Sequence, residues 1–123
     1  MKIDNLFPLT PKLAAAYYGL GALSSVHLVK LADQWLCQSI FTDSINILQT
    51  HKAPKMYEVS ELFEDAMQEL GITIPTRIES AWIVAEDIMK RMVSGSIELM
   101  DGANFLYNDV HHEIDDVLPD GSI

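Results

Sequence analysis

Residues 108–116, NDVHHEIDD, are the densest run of metal-ligating and proton-transferring side chains in the sequence. Residues three apart share a helix face, so Asp109, His112 and Asp115 would align carboxylate, imidazole and carboxylate in one row. Oxygen and nitrogen donors of this kind hold divalent cations. A helical bundle that binds a pair of metals, however, draws matched Glu and His ligands from several helices. This chain has four His, and His27 and His51 stand isolated. The adjacent acids Glu86 and Asp87 point about 100° apart on a helix, so they cannot line one cleft as general acid and base. There is no Gly-rich phosphate loop, no nucleophile elbow, no HExxH pair and no local Cys-His pairing. The expectation is a protein without catalytic residues, cofactor or metal, in which 108–116 is a solvated acidic helix end. A metal site on Asp109, His112 and Asp115 is kept as a third reading.

Charge is the most informative bulk property. The formal net charge is −10, and it is distributed unevenly: residues 1–55 hold three acids and five bases, residues 57–123 fifteen acids and three bases. Such a field repels phosphate backbones and attracts cationic surfaces, so the expected partner is a cationic protein and nucleic acid is not expected. The acids proposed to face that partner are Glu58, Glu61, Glu64, Asp65 and Glu69, together with Asp109, Glu113, Asp115 and Asp116. A chain of 123 residues with 49% hydrophobic residues suits one domain with a single core. No run of eighteen apolar residues and no cleavable leader pattern in MKIDNLFPLTPK is present, so neither membrane spanning nor secretion is expected. The single Cys37 permits no internal disulfide and reads as a small buried hydrophobe, which suits a reducing, cytoplasmic setting.

The elements that must position these acids are helical almost throughout. Thr10 before Pro11 caps a first helix over about 11–18, which Gly19 and Gly21 are expected to break. Ser24 or Ser25 opens a second, with Leu28, Leu31, Ala32, Trp35, Leu36 and Ile40 in helical spacing to about residue 41. Thr42 and Asp43 introduce a short third helix carrying Ile45 and Leu48. Val59, Leu62, Phe63, Ala66, Met67 and Leu70 form the apolar stripe of a fourth that ends at Gly71, with the acids on its other side. Thr76 and Glu79 have capping-box spacing, and a long helix to Ser94 would bury Ile78, Ala81, Trp82, Ala85, Ile88, Met89 and Met92. A last helix over 98–113 would bury Met100, Ala103, Leu106, Tyr107 and Val110, with 116–123 a frayed tail. The fold class is therefore all-α: one domain over 1–123, of five or six helices packed as corners. Trp35 and Trp82 are assigned to the core, Tyr17, Tyr18 and Tyr57 to interface edges, and Met56 to the surface.

One phrase is written twice. Gly21, Leu23, Val26, Val29 and Ala32 have counterparts Gly95, Ile97, Met100, Ala103 and Leu106 at a constant offset of 74 residues. Each copy reads as a helix stopped by glycine, an apolar residue that pins the turn, and a second helix. Common corner geometry accounts for this better than duplication. The first copy, GALSSVHLVKLADQWL, resembles a segment that recurs in small, acidic, helical immunity proteins of bacterial toxin systems. Its shared residues are Gly21, Leu23, Ser24, Leu28, Val29, Ala32, Asp33 and Leu36. Those families often place Trp before the Ala-Asp pair, where this chain has Leu31. The resemblance implies a cytoplasmic inhibitor that neutralises a cationic toxin domain by tight binding. A small helical regulatory or scaffold homodimer is the second reading. The metal reading is tested directly: protein purified without chelator should carry no transition metal, and added zinc should leave its melting temperature unchanged. A rise of about 5 °C or more would establish the site.

Overall fold

The computed structural model describes residues 3–110. A single turn at Ile3–Leu6 precedes six α-helices: α1 (Pro11–Leu20), α2 (Ser25–Cys37), α3 (Asp43–Leu48), α4 (Met56–Glu69), α5 (Arg77–Ser94) and α6 (Leu99–Phe105). A wide five-residue turn, Leu106–Val110, follows α6. The all-α expectation holds, and the described residues contain no strand. None of the helices is long and apolar enough to cross a membrane.

Local chemistry explains most boundaries. Thr10 Oγ1 accepts from Leu13 N at 3.2 Å, Thr42 Oγ1 from Ile45 N at 3.1 Å, and Thr76 Oγ1 from Glu79 N at 3.2 Å. Each satisfies an N–H that a helix start leaves without a partner. Glu79 completes the capping box, its Oε1 accepting from Thr76 N at 3.2 Å. At the other ends one device recurs. Gly21 takes φ 83°, its N–H bonds to Tyr18 O, and Ala22 N bonds to Tyr17 O. Gly71 and Gly95 repeat the same pair of bonds after α4 and α5. The glycine phrase thus occurs three times, at every long helix that ends in a left-handed residue. That is a capping rule at work, and a duplication of two units does not explain it.

Two groups of helices share one core. α1 packs most extensively along α5, which also meets α6; α3 lies on α4, and α2 on both. Aromatic rings join the groups. Trp35 is fully buried, its indole N–H donating to Leu9 O at 2.9 Å. Phe63 lies 6.1 Å from Trp35 and stacks on Tyr18 at 4.7 Å.

Several expectations are corrected. Gly19 does not break α1; it lies inside it. A Cβ there would overlap Ser80 Oγ and stand 2.9 Å from Pro75 O, so its value is the close approach of α1 to the start of α5. α2 stops at Cys37, with Ser39 at φ 64°, which leaves Ile40 and Phe41 in the connection. Cys37, at the last turn, is exposed and not a buried hydrophobe. Trp82 is 58% exposed, and Ile78 and Met89 face outward with it, because Ala81, Val84 and Ile88 already fill the α5 contact. α6 buries Gly102 and Phe105, whereas Met100, Ala103 and Tyr107 are exposed. The wide turn at Leu106–Val110 then changes the helical register, so that Val110 is buried as expected. Tyr17 is wholly buried and edges no surface, whereas Tyr18 is half-buried beside the exposed Glu64.

In an open helix, Gly→Ala stabilises by about 0.5–1 kcal/mol. Gly19→Ala should instead destabilise by about 1–3 kcal/mol, the cost of overpacking a closed contact. Urea unfolding measures the sign, and Gly19→Ala combined with Ser80→Ala should recover part of the loss.

Candidate partner-binding surface on the acidic helix

α4 buries Val59, Phe63, Ala66 and Met67 and turns its acids outward, as an amphipathic helix with this spacing must. All five acids, Glu58, Glu61, Glu64, Asp65 and Glu69, are exposed, but the structure divides them. Glu69 is bonded within the fold. Its carboxylate accepts from Ser44 N at 3.2 Å and Ser44 Oγ at 2.6 Å, tying the end of α4 to the first turn of α3. The Ser44 hydroxyl, followed by Thr42, holds the Glu69 carboxyl below its ordinary range. Glu64 Oε2 accepts from Tyr18 Oη at 2.6 Å and so joins α4 to α1. Burial first, and the bond to Glu64 second, push the Tyr18 phenol up to about 12.

Glu58, Glu61 and Asp65 remain as a stripe on successive turns, since steps of three and four residues return to one face. Glu61 and Asp65 have no ion pair among the described residues. Tyr57, 69% exposed, stands one turn before Glu61, and its phenol is raised by its hydrogen bond to Glu58. An aromatic ring beside unpaired carboxylates gives the surface an apolar anchor and a charged rim, as protein-binding hot spots have. Met56, at the start of the same helix, is 41% exposed, as expected.

Of the other proposed contact residues, Asp109 belongs to the Leu106–Val110 turn. Its side chain, and Glu113, Asp115 and Asp116, lie outside the described residues, as does the His112 of the metal reading. Among the described residues no group of three metal-ligating side chains converges.

One polar cluster escaped the sequence reading. Tyr17 Oη donates to Asp87 Oδ2 at 2.7 Å, and Arg91 Nε donates to the same oxygen at 2.8 Å. Asp87 and Arg91 are one turn apart on α5, a spacing that the sequence displays. Tyr17 is 70 residues away, and nothing local announces it. Glu86, by contrast, points to solvent and pairs with Lys90 at 2.9 Å. The two adjacent acids therefore have separate surroundings, as their helical spacing requires. Burial, then the bond to Asp87, raises the Tyr17 phenol well above its ordinary value, with Arg91 opposing. Both donors converge on one carboxylate oxygen, so the cluster fastens α1 to α5.

No family model, curated protein or solved structure matches this chain.

Tyr17 and Tyr18 are held neutral in the fold at pH values where the unfolded chain ionises them. Stability from this source is complete below pH about 10, the ordinary tyrosine value, and declines as pH rises from there toward the raised folded values. Urea midpoints measured across that range should fall in the native sequence and fall less steeply in Tyr17→Phe. At neutral pH the same substitution should cost about 1.5–3 kcal/mol, the loss of a hydrogen bond to a charged group.

Proposed function

We propose that this chain is a non-catalytic binding protein that captures a cationic protein through the outer face of α4. The observation that carries the reading is the stripe Glu58, Glu61 and Asp65. These acids are exposed on one rigid helix beside Tyr57, while Glu64 and Glu69 hold that helix in place. Carboxylates that tie α4 to neighbouring helices contribute position, and those that face solvent contribute field. Complementary charge accelerates encounter and selects among partners. The second half of the chain, with fifteen acids against three bases, extends that field.

Among such proteins, the immunity or inhibitor class fits best. The segment at residues 21–36 resembles that class, and an acidic surface suits occlusion of a cationic toxin domain. A cytoplasmic, bacterial setting belongs to the same reading. Glu113, Asp115 and Asp116, with Asp109, form the second acidic set of this proposal, and they can be tested apart from α4.

The triple variant Glu58→Lys, Glu61→Lys and Asp65→Lys tests the α4 face against the cationic protein retained by the immobilised native chain at low salt. Association should slow at least about tenfold and become less salt-dependent, because steering and its screening share one origin. Equal rates for variant and native chains would refute the α4 reading. Reversal of Glu113, Asp115 and Asp116 alone reports the second set.

A further inference from the structure

α5 carries an apolar stripe that the described residues leave exposed. Trp82 is 58%, Met89 50%, Val93 90% and Ile78 38% exposed. With the nearly buried Ala85 these residues step by four, three, four and four, which places them on one face of the helix. The adjoining flank holds Ala81, Val84 and Ile88 in the core with the edge of Ala85, so Ile78, Trp82, Met89 and Val93 are left facing outward among the described residues.

The stripe has a knob and a hole. Met89 and Val93, with Glu86, Lys90 and Ser94, surround a shallow depression of about 340 Å³ formed by α5 alone. Trp82 stands seven residues before Met89, two turns or about 10.5 Å along the axis. The pattern is also palindromic. Ile78 and Val93 mark the ends, Trp82 and Met89 lie inside them, and Ala85 with Glu86 is at the centre. A twofold axis at that centre sets two α5 helices antiparallel and brings Trp82 against Met89 and Ile78 against Val93 of the other copy. Both indoles then enter both depressions at once, which is how an isologous interface is built. The small Ala85 at the crossing lets the helices approach.

Charge says which partner this face takes. α4 carries five acids and no base, a surface that a second acidic chain would avoid. α5 carries Arg77, Lys90 and Arg91 against Glu79, Glu86 and Asp87, and is neutral. These three are all the bases of residues 57–123. Two chains of net charge −10 repel wherever they meet, and the repulsion is least on a neutral apolar face. A cationic partner gains nothing from α5 and much from α4.

We infer that the Ile78, Trp82, Met89 and Val93 face of α5 pairs two copies of this chain in antiparallel, two-fold fashion. The inference stands apart from the reading of α4, and salt distinguishes the two. Screening relieves repulsion between like chains, so this association tightens as salt rises, whereas capture of a cationic protein weakens.

Sedimentation equilibrium on the full chain, from low to high micromolar at low and high salt, tests it. A monomer–dimer equilibrium that shifts toward dimer in high salt is expected. Trp82→Ala should weaken it at least about 30-fold, as loss of a buried aromatic anchor does. Because Trp82 faces outward in the monomer, the variant's circular dichroism and urea midpoint should match those of the native chain at concentrations low enough that both are monomeric. In a Cys37→Ser background, Glu86→Cys near the axis should form a disulfide-linked dimer under mild oxidation, whereas Asn46→Cys on α3 should not. A monomer at every concentration overturns the inference, as does a dimer indifferent to Trp82→Ala. A monomer whose Trp82 fluorescence resists iodide quenching also overturns it, since the chain's own residues then cover the face.

Discussion

The closure of α1 onto α5 is the constraint on which the remaining structure depends. Gly19 has no side chain because Ser80 and the Pro75 carbonyl occupy the space, and this brings the two backbones within reach of each other. The same approach delivers Tyr17 Oη to Asp87, an oxygen that Arg91 also holds. A shape constraint at one end of the contact and a satisfied polar cluster farther along it fix both the separation and the register of the helices. Consequences follow on both sides. Tyr18, the next residue on α1, can then stack on Phe63 and bond Glu64, which sets α4. On α5, Ala81, Val84 and Ile88 are committed inward, and Trp82 and Met89 must face out.

The two outward faces so created differ in the property that decides association. α4 is unilaterally acidic and α5 neutral and apolar, although both are amphipathic helices of one small domain. The acids of α4 also serve two purposes. Glu64 and Glu69 are acceptors for Tyr18 and Ser44, and they tie to α1 and α3 the helix on which Glu58, Glu61 and Asp65 are displayed. Rigidity lowers the ordering cost of binding, and a fixed row of charges makes the encounter selective. The proposed face for a cationic protein and the inferred face for a second copy are compatible on one chain, because α4 repels a second acidic chain and α5 has no net charge to attract a cation.

Local rules carried the sequence reading well. Thr10, Thr42 and Thr76 cap the starts of α1, α3 and α5, Gly21, Gly71 and Gly95 stop α1, α4 and α5, and the stripe on α4 faces the core as its period requires. Where sequence reasoning failed, a tertiary fact decided. Periodicity places Ala81 and Trp82 on one apolar arc, but it cannot tell which edge of a wide arc the neighbouring helix covers. Gly19 reads as a breaker from composition and becomes a contact point only through Ser80, 61 positions on. In the last helix, α6 turns Gly102 and Phe105 inward in place of Met100 and Ala103, and the wide turn at Leu106–Val110 then shifts the register so that Val110 is buried. The acids of the candidate surface were visible as a group. Which of them the fold uses internally depends on Tyr18 and Ser44, and no spacing reveals that.

Hydroxyl-radical footprinting of the full chain, alone and with the cationic protein that the proposal expects it to retain, addresses α4 at the level of side chains. Tyr57 and Met56 should lose reactivity when the partner is added, while Trp82 and Met89 keep the reactivity they have in the chain alone. Unchanged reactivity at Tyr57 and Met56 in the complex would contradict the assignment of α4 as the surface that binds.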